Sequence, residues 1–341
     1  MTLAVLLLAA GHGTRMNSKY QKVLHPVGGK PMVQHVFEAA LVVADLPPVL
    51  VVGEGQAGIP HLLGDKAEYV VQEEKLGTGH ATMVAKAALT GRSDQLVVTY
   101  GDMPLLMAET IQQLAAKQRE TGAAVVLLAA DAGPENTFGR IVRDENGRIV
   151  EIVELANARR RPNAAELINI REQNAGVYCF DADWLWANID KLPLRQARSG
   201  NEYYLTDMVE LAVEQGLLVE GIWSHDPDES LGAGTRAEMV AVEKAFRRRA
   251  NRRWLNAGVT LVDPDSIYID PDVTIGQDTV IWPNSYLQGR TQVGADCVIG
   301  PNTIIRDSIL GDQCTLEQVM LEGQVLPAGS HLPPFTHLRG E

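Results

Sequence analysis

The first two thirds of the chain alternate short apolar runs with segments of helical period. Up to about residue 230, most β-branched or aliphatic runs are followed by a pattern in which apolar residues recur every three to four positions. This alternation is typical of a mostly parallel sheet covered by helices on both faces. It predicts strands at 4–8, 49–52, 69–71, 96–99, 123–128 and 176–180, and helices at 32–44, 79–89 and 203–215.

An antiparallel hairpin is predicted within this α/β part. Asn146-Gly147 lies between the apolar pairs Ile141-Val142 and Ile149-Val150. Asn-Gly is favoured where both central residues of a two-residue primed turn need a positive φ. We therefore expect two strands joined by such a turn.

The spacing of apolar residues changes to six after residue 257. A segment rich in Ala, Glu and Arg, residues 235–257, is predicted as a linker helix ended by Gly258. Beyond it, aliphatic side chains recur at Ile269, Ile275, Ile281, Leu287, Val293, Ile299 and Ile305, with Leu310 one residue early and Leu316 back in step. A prism-shaped parallel β-helix, with one face per hexapeptide, produces this period. We expect about three coils over 269–321, whose exposed faces favour self-association.

The composition limits which binding partners and which cellular compartment are expected for the protein. The 341 residues are 45% apolar and 21% charged, and 30 basic against 43 acidic side chains give a formal charge of -13. A nucleic-acid partner is not expected, because this field repels a polyanion. The apolar run Leu3–Ala10 is shorter than the ~20 residues that span a bilayer and follows no basic segment, so we expect a cytoplasmic protein without membrane attachment. Cys179, Cys297 and Cys314 are predicted to be buried free thiols.

A glycine-containing loop follows the first predicted strand. Small residues in Leu8–Met16 let the backbone approach a phosphate, whose charge Arg15 and Lys22 would neutralise. The loop is not a P-loop, since no GxxxxGK[ST] occurs, and Met16 replaces the third glycine of a dinucleotide fingerprint. A purely structural turn explains the two glycines equally well.

Two further polar loops follow later strands. Asp102, after Tyr100-Gly101, can hold Mg²⁺ on a triphosphate, or it can cap the turn at Pro104. Gln72, with Gly77-Thr78 just beyond it, can meet the paired donor and acceptor of a pyrimidine edge. Because the carboxyl ends of parallel strands meet at one edge of a sheet, the three loops together predict a nucleotide site.

Seven segments together resemble a known enzyme family. They are Leu8–Val36, Gln72–Ala81, Tyr100–Asp102, Phe138–Ile141, Glu154, Asn174–Gly176 and Glu202–Asp207. In order and spacing they are similar to those of the bacterial bifunctional N-acetylglucosamine-1-phosphate uridylyltransferases/glucosamine-1-phosphate acetyltransferases. The resemblance implies a Rossmann-like nucleotide-diphospho-sugar transferase domain at 1–234, the linker helix at 235–257, and a short left-handed β-helix at 258–341 that forms homotrimers.

The resemblance also implies a reaction and a set of site residues. The reaction is transfer of a uridylyl group from UTP to N-acetylglucosamine 1-phosphate, with release of pyrophosphate. Arg15 and Lys22 would neutralise the phosphates, and Asp102 would bind Mg²⁺. The substrate-binding residues implied are Leu8, Ala9, Ala10 and Gly11 along the nucleotide, Gln72, Gly77 and Thr78 at uracil, and Tyr100, Gly101, Gly139, Glu154 and Asn174 around the nucleotide sugar.

Three features depart from the family pattern. Gly234 stands where the family has an Asn as second metal ligand, so that water, phosphate oxygens, Asp226 or Asp228 would complete the shell. His12 stands where a Lys is usual. The last residues, 337–341, resemble the stretch just before the acetyltransferase site, and no acetyltransferase activity is therefore expected.

Two alternative functions stay open. One is a nucleotidyltransferase for another sugar 1-phosphate, because uracil and thymine differ by a methyl group and Gln72 does not exclude dTTP or a partner such as glucose 1-phosphate. The other is a weakly catalytic nucleotide-sugar binding or regulatory protein, which the glycine at position 234 suggests.

Overall fold

The computed structural model describes residues 1–131, 133, 136–197 and 200–340. The chain divides into two compact units, Met1–His25 with Met32–Glu238, and Pro26–Pro31 with Met239–Glu341. The strands up to residue 223 are β1 (Leu3–Leu8), β2 (Pro26–Val27), β3 (Lys30–Pro31), β4 (Val49–Gly53), β5 (Glu68–Gln72), β6 (Gln95–Tyr100), β7 (Val125–Ala130), β8 (Arg140–Arg143), β9 (Ile149–Val153), β10 (Gln173–Asp181), β11 (Leu194–Ala197), β12 (Gly200–Tyr203) and β13 (Val219–Trp223).

The described α-helices lie in the first unit and in the predicted linker segment. They are α1 (Met32–Val43), α2 (Gly58–Leu63), α3 (Gly77–Val84), α4 (Lys86–Leu89), α5 (Ala108–Thr121), α6 (Leu155–Ala158), α7 (Ala164–Ile168), α8 (Ala182–Asn188), α9 (Asp207–Glu214) and α10 (Arg236–Asn256). Helix α10 falls within the predicted linker segment, while the domain limits themselves stay a prediction. No helix among the described residues is both long and apolar enough to cross a membrane.

A nine-stranded sheet forms the centre of the first unit. Its order is β13-β7-β10-β6-β1-β4-β5, with β8 paired to β10 and β9 paired to β8. Strand β1 is parallel to both neighbours, whereas β10 is antiparallel to β6 and β7. All six residues of β1 are buried, and alternate ones belong to two different core clusters: Leu6 to one and Leu7 to the other. The predicted mostly parallel sheet, covered on both faces, is confirmed.

Two of the predicted helices differ from those observed. The segment at 79–89 is divided into α3 and α4 at Ala85. The helix predicted at 203–215 begins only at Asp207, because Tyr203 belongs to β12 and pairs with Leu194 of β11. The prediction was wrong there because antiparallel pairing with the immediately preceding strand, β11, overrides the helical periodicity of residues 203–206.

The predicted hairpin is present, but its turn is of another type. Strands β8 and β9 pair antiparallel up to Arg143 and Ile149, which leaves five residues between them instead of two. The Asp144 carboxylate accepts hydrogen bonds from the backbone N–H groups of Asn146 and Arg148, both at 2.9 Å. Of the Asn-Gly pair, only Gly147 has a positive φ. The predicted primed turn was therefore wrong, since the Asp144 side chain organises a longer loop.

The second unit is built mainly of three parallel sheets. Its strands are β14 (Thr260–Leu261), β15 (Tyr268–Ile269), β16 (Thr274–Ile275), β17 (Val280–Ile281), β18 (Tyr286–Gln288), β19 (Gln292–Val293), β20 (Val298–Ile299), β21 (Ile304–Arg306), β22 (Ile309–Leu310), β23 (Thr315–Leu316), β24 (Met320–Glu322), β25 (Val325–Leu326), β26 (His331–Leu332) and β27 (His337–Arg339). Each strand from β14 to β24 pairs with the strand three further on. This is the arrangement of a parallel β-helix, consistent with the predicted left-handed one.

The hexapeptide pattern arises because the aliphatic residue and the small corner residue of each repeat point into the β-helix. The aliphatic residue of most strands, such as Leu287 or Ile305, is buried, whereas Ile275 and the last three, Leu326, Leu332 and Leu338, are partly buried. The small residue at the corner is buried as well, and Thr279 Oγ1 donates to the Gly294 carbonyl of the next coil at 2.9 Å. Cys297 and Cys314 occupy such corner positions, and they and Cys179 are buried free thiols, as predicted.

The coil repeat shortens towards the carboxyl end. Three residues, 289–291, separate β18 from β19, but only two, 307–308, separate β21 from β22. This shorter corner is why Leu310 comes one residue early. Strands continue to Arg339, so that two sheets have five strands and the third has four. The predicted limit of about three coils ending at 321 was wrong, because shortened corners interrupt a strict period of six.

Candidate active site

Loops at the carboxyl ends of the sheet strands of the first unit open into one cavity of about 670 Å³. The loops that follow β1, β5 and β6 all reach it, together with the start of β10. Its volume is that of a typical small-molecule site. Of the predicted site residues it is lined by Leu8, Ala9, Ala10, Gly11, Lys22, Gln72, Gly77, Thr78, Tyr100, Asp102, Gly139, Glu154 and Asn174.

Two predicted site residues do not line the cavity. Arg15 is exposed, and its guanidinium packs against Gly234, where a Cβ would lie 2.5 Å from Nη2. Gly101 is buried beneath the wall, where its backbone N–H donates to the Leu8 carbonyl at 3.0 Å. Gly101 thus joins β1 to the loop after β6 without offering a surface to a ligand.

A lysine–aspartate pair forms the charged part of the cavity wall. Lys22 Nζ lies 2.5 Å from Asp102 Oδ2, and the two side chains are 18% and 19% exposed. Asp102 therefore makes an ion pair with a residue distant in the sequence. It does not cap the following helix, α5, which begins only at Ala108. The second carboxylate oxygen, Oδ1, has no hydrogen-bond partner among the described residues. That oxygen is available to a ligand.

The donor set near Asp102 fits a magnesium ion that takes most of its ligands from substrate and water. Mg²⁺ prefers carboxylate and phosphate oxygens and commonly keeps several waters. The described residues hold no group of three or more His, Cys, Asp or Glu side chains that could bind a metal. Asp226 and Asp228 do not line the cavity, and Asp226 Oδ1 accepts from the Asp228 N–H at 3.0 Å. Asp226 and Asp228 are therefore not in place to replace the missing ligand, and Asp102 is the carboxylate that would hold such an ion.

Tyr100 forms a neutral, half-buried part of the cavity wall. Burial raises the pKa of Tyr100, and the carboxylates of Glu154 and Asp102 raise it further. The hydroxyl, which makes a hydrogen bond with Thr78, therefore stays protonated at neutral pH. Gly176 has a φ of 83° and packs on the ring, so that a Cβ there would overlap Tyr100. Only glycine meets both demands at position 176.

Glu154 is a carboxylate held partly out of water. Burial raises the pKa of Glu154, and the Asp207 carboxylate raises it further. Asp207 has a raised pKa as well, because burial outweighs the Arg195 guanidinium, whose Nε donates to Oδ2 at 2.7 Å. The pKa of Glu154 is therefore higher in the folded than in the unfolded state. As a consequence, the free energy of unfolding falls as the pH rises from the unfolded-state pKa to the folded-state pKa.

Replacing Glu154 with Gln should therefore raise the melting temperature of the ligand-free protein at pH 8. The gain should shrink as the pH falls below the ordinary glutamate pKa, towards about pH 3.5, because there the wild-type carboxyl is mostly protonated in both the folded and the unfolded state. Thermal unfolding of the full chain at both pH values measures it, with the exposed Glu145→Gln as the matched control. If the change in melting temperature were the same at both pH values, Glu154 would not occupy a site whose burial disfavours the charged carboxylate.

Several lining residues were not singled out from the sequence. They are Lys75, Phe138, Gly176, Glu202, Tyr204, Thr206, Ser230 and Gly232, among others. All of these except Ser230 and Gly232 lie within the segments that carried the family resemblance, which was the available signal. Arg140, in one of these segments, is fully buried, and its guanidinium donates to the backbone carbonyls of Asn136, Phe138 and Ile168. It therefore anchors the loop that carries Phe138.

Comparisons with known proteins agree with this architecture. Residues 5–183 match the MobA-like NTP transferase domain, and residues 272–307 match the bacterial transferase hexapeptide (six repeats). The bifunctional protein GlmU of Exiguobacterium sibiricum is 41% identical over 98% of this chain and 73% of its own length, and that of Bacillus subtilis is 40% identical over 98% and 72%. A Bacillus anthracis structure described as a "Putative Glucose-1-Phosphate Thymidylyltransferase" covers 71% of this chain and 94% of its own, with a TM-score of 0.56 at 19% identity, and shows the shared fold.

The fold and the cavity define a sugar-1-phosphate nucleotidyltransferase that carries hexapeptide repeats. This class follows from the NTP transferase match, the strand-end pocket and the coil repeats. The chain belongs to the GlmU family of bifunctional proteins.

Proposed function

We propose that the cavity of the first unit transfers a uridylyl group from UTP to N-acetylglucosamine 1-phosphate, releasing pyrophosphate. Membership in the GlmU family supports this reaction. The observation that carries it is the shared cavity itself: a backbone loop at Leu8–Gly11, the Gln72–Thr78 loop and the Lys22–Asp102 pair line one pocket. A phosphate cradle, a base-sized cleft and a charge-neutralising pair are what a nucleoside triphosphate needs.

The chain's residues then act by positioning and charge neutralisation. An oxygen of the sugar phosphate attacks the α-phosphorus of UTP, the new P–O bond forms, and the bond to the β-phosphate oxygen breaks. Because the nucleophile is already an anion, no general base is required. Lys22 neutralises phosphate charge, and the backbone at Leu8–Gly11 holds the nucleotide. Mg²⁺ bound by Asp102 would supply Lewis-acid stabilisation of the phosphate oxygens.

The sugar end of the cavity is assigned to Glu154 and Asn174. Asn174 Nδ2 donates to the Tyr178 hydroxyl at 2.6 Å, and its Oδ1 accepts from the Gly176 N–H at 3.1 Å, so that its orientation is fixed. A fixed amide and a half-buried carboxylate are suited to the N-acetyl and hydroxyl groups of an amino sugar. Gly139 provides backbone contact beside Glu154.

Assembly and location are part of the same proposal. The outward-facing positions of the β-helix carry exposed apolar side chains, Val298, Ile309 and Met320 among them. Such faces support the predicted homotrimer. The proposed enzyme works in the cytoplasm. The absence of acetyltransferase activity stays a prediction.

A screen of substrates for pyrophosphate release tests the proposed reaction. Purified protein with Mg²⁺ is assayed with UTP, dTTP and CTP against N-acetylglucosamine 1-phosphate and glucose 1-phosphate. We expect UTP with N-acetylglucosamine 1-phosphate to give the highest kcat/KM. Preference for dTTP with glucose 1-phosphate would contradict the proposal. Binding of UDP-N-acetylglucosamine without any pyrophosphate release at saturating Mg²⁺ would favour a binding or regulatory role.

A further inference from the structure

The glycine at position 234 leaves a space that the Arg15 guanidinium fills. A Cβ built on Gly234 would lie 2.5 Å from Arg15 Nη2 and 3.2 Å from its Cζ, closer than a side chain tolerates. The φ of Gly234 is not positive, so its backbone would accept other residues. The loop that carries Arg15 is fastened to the same segment, since Arg236 Nε donates to the Met16 carbonyl at 3.2 Å. The glycine therefore provides room for Arg15 and is not required by the backbone.

Arg15 and Gly234 lie in segments that continue into the cavity. His12, shortly before Arg15, and Gly232, shortly before Gly234, both line it. The segment at Gly232 also borders the proposed metal site, because a Cβ built on Gly232 would lie 3.9 Å from Asp102 Oδ2. The guanidinium is therefore held at the mouth of the cavity, on the side of Asp102.

The Arg15 guanidinium keeps its donors for a ligand. The side chain is exposed, and among the described residues it makes no hydrogen bond or ion pair. The nearby carboxylate is that of Glu238, whose Oε2 would lie 2.9 Å from the same Cβ on Gly234 and accepts from the Gly234 N–H at 2.7 Å. Because Glu238 bonds to the backbone, the guanidinium presents its planar set of N–H donors outward. Such a set matches phosphate oxygens.

A fixed cation at this place shares a task with the metal ion. A triphosphate carries several negative charges, and bound Mg²⁺ neutralises part of them. We propose that the missing side chain at Gly234 seats the Arg15 guanidinium on the triphosphate, so that nucleotide binding depends less on Mg²⁺ than it would with a metal-ligating side chain at this position. The inference rests on the proposed uridylyl transfer and adds Gly234 to it as a positioning residue.

Calorimetric titrations of the full chain with UTP, in EDTA and at saturating Mg²⁺, test this inference. Gly234→Asn fills the space and offers the metal an amide oxygen. The UTP affinity in EDTA should fall about tenfold or more, as expected for the loss of a charged hydrogen bond. At saturating Mg²⁺ it should fall much less, because the added amide oxygen can bind the ion. The gain in affinity that Mg²⁺ confers should therefore be larger in the variant than in the wild type.

The matched control introduces the same side chain one residue further on. Thr235 Oγ1 accepts from the Glu238 N–H at 3.2 Å, at the start of α10, and Asn is an equally good helix cap. Thr235→Asn should therefore bind UTP as the wild type does under both conditions. Uridine, which has no phosphate, should bind alike to all variants.

Arg15→Met and the double variant show whether Gly234 acts through Arg15. Arg15→Met should weaken UTP binding in EDTA about as much as Gly234→Asn does. The double variant should lose no more than either single variant, because both changes remove the same contact. Additive losses would overturn the inference.

Other outcomes are equally distinct. Equal UTP affinities of the wild type and Gly234→Asn in EDTA would overturn the inference, as would a wild type that binds UTP only when Mg²⁺ is present. A wild type that does not bind UTP even at saturating Mg²⁺ would instead defeat the proposed function. If Gly234→Asn does not fold, Gly234→Ala, whose Cβ alone would overlap the guanidinium, should show a smaller loss in the same direction, and no loss would count against the inference.

Discussion

Replacing Asp102 with Asn is expected to lower the kcat/KM for pyrophosphate release by roughly 10³-fold. Stabilisation of transferring phosphoryl oxygens by a bound metal amounts to several kcal/mol, and 1.36 kcal/mol corresponds to about a tenfold change in rate. Asn keeps the shape of the side chain but removes the charge that both Mg²⁺ and the Lys22 ammonium use. Initial rates over a range of Mg²⁺ concentrations measure the effect, and the concentration giving half-maximal rate should rise.

The matched control for this variant is an aspartate outside the cavity. Asp183 is exposed at the start of α8, and Asp183→Asn should leave the rate unchanged. Asp228→Asn is the informative comparison, because Asp228 was a candidate replacement for the ligand missing at Gly234. If Asp228→Asn lost activity while Asp102→Asn kept more than a tenth of it, the metal would have to be assigned to the 226–228 turn.

Replacing Lys22 with Met should lower kcat/KM by about 10²–10³-fold, the loss typical of removing one preorganised donor from a developing oxyanion. Lys22 is placed at the start of a short 3-10 turn, and its ammonium reaches Asp102 at 2.5 Å. Lys22→Arg should recover part of the activity, because the charge is kept but its geometry changes. Steady-state rates of pyrophosphate release at saturating Mg²⁺ provide the measurement.

Lys19→Met is the control, since Lys19 belongs to the same loop but is exposed and lies 5.2 Å from the Tyr20 ring centre. The double variant of Lys22→Met and Asp102→Asn should lose less than the product of the two single losses, because the two side chains are in direct contact. A loss of less than threefold in Lys22→Met would remove Lys22 from the proposed phosphate site.

The strands that position the cavity were predictable because burial on both faces gives them a continuous apolar sequence. Strand β1 is such a case, and the loop that follows it was recognised from its small residues. The coil repeat was equally visible up to Ile305. Beyond Ile305 the repeat was harder to recognise, because five residues instead of six separate Leu316 from Leu321 and Leu321 from Leu326.

Side-chain direction was not predictable in the same way. Arg15 follows the glycine loop in sequence, yet its guanidinium packs against Gly234, more than two hundred residues away in the chain. Lys75 lies in one of the segments that carry the family resemblance, yet its sequence does not show that its Nζ is buried without a hydrogen-bond partner among the described residues. The Asn146-Gly147 turn depended on a competing carboxylate at Asp144. Each of these outcomes is decided by tertiary contacts that no local pattern contains.

The unequal corners of the β-helix have a consequence for how this part of the chain can change in length. The corner at 289–291 and the corner at 307–308 lie on successive coils of one edge and differ by one residue, yet the ladders beside them stay in register. A residue gained or lost at a corner is absorbed there, whereas the same change inside a strand would turn an inward aliphatic side chain towards solvent. Natural insertions and deletions should therefore accumulate at the edges of the prism and spare its faces.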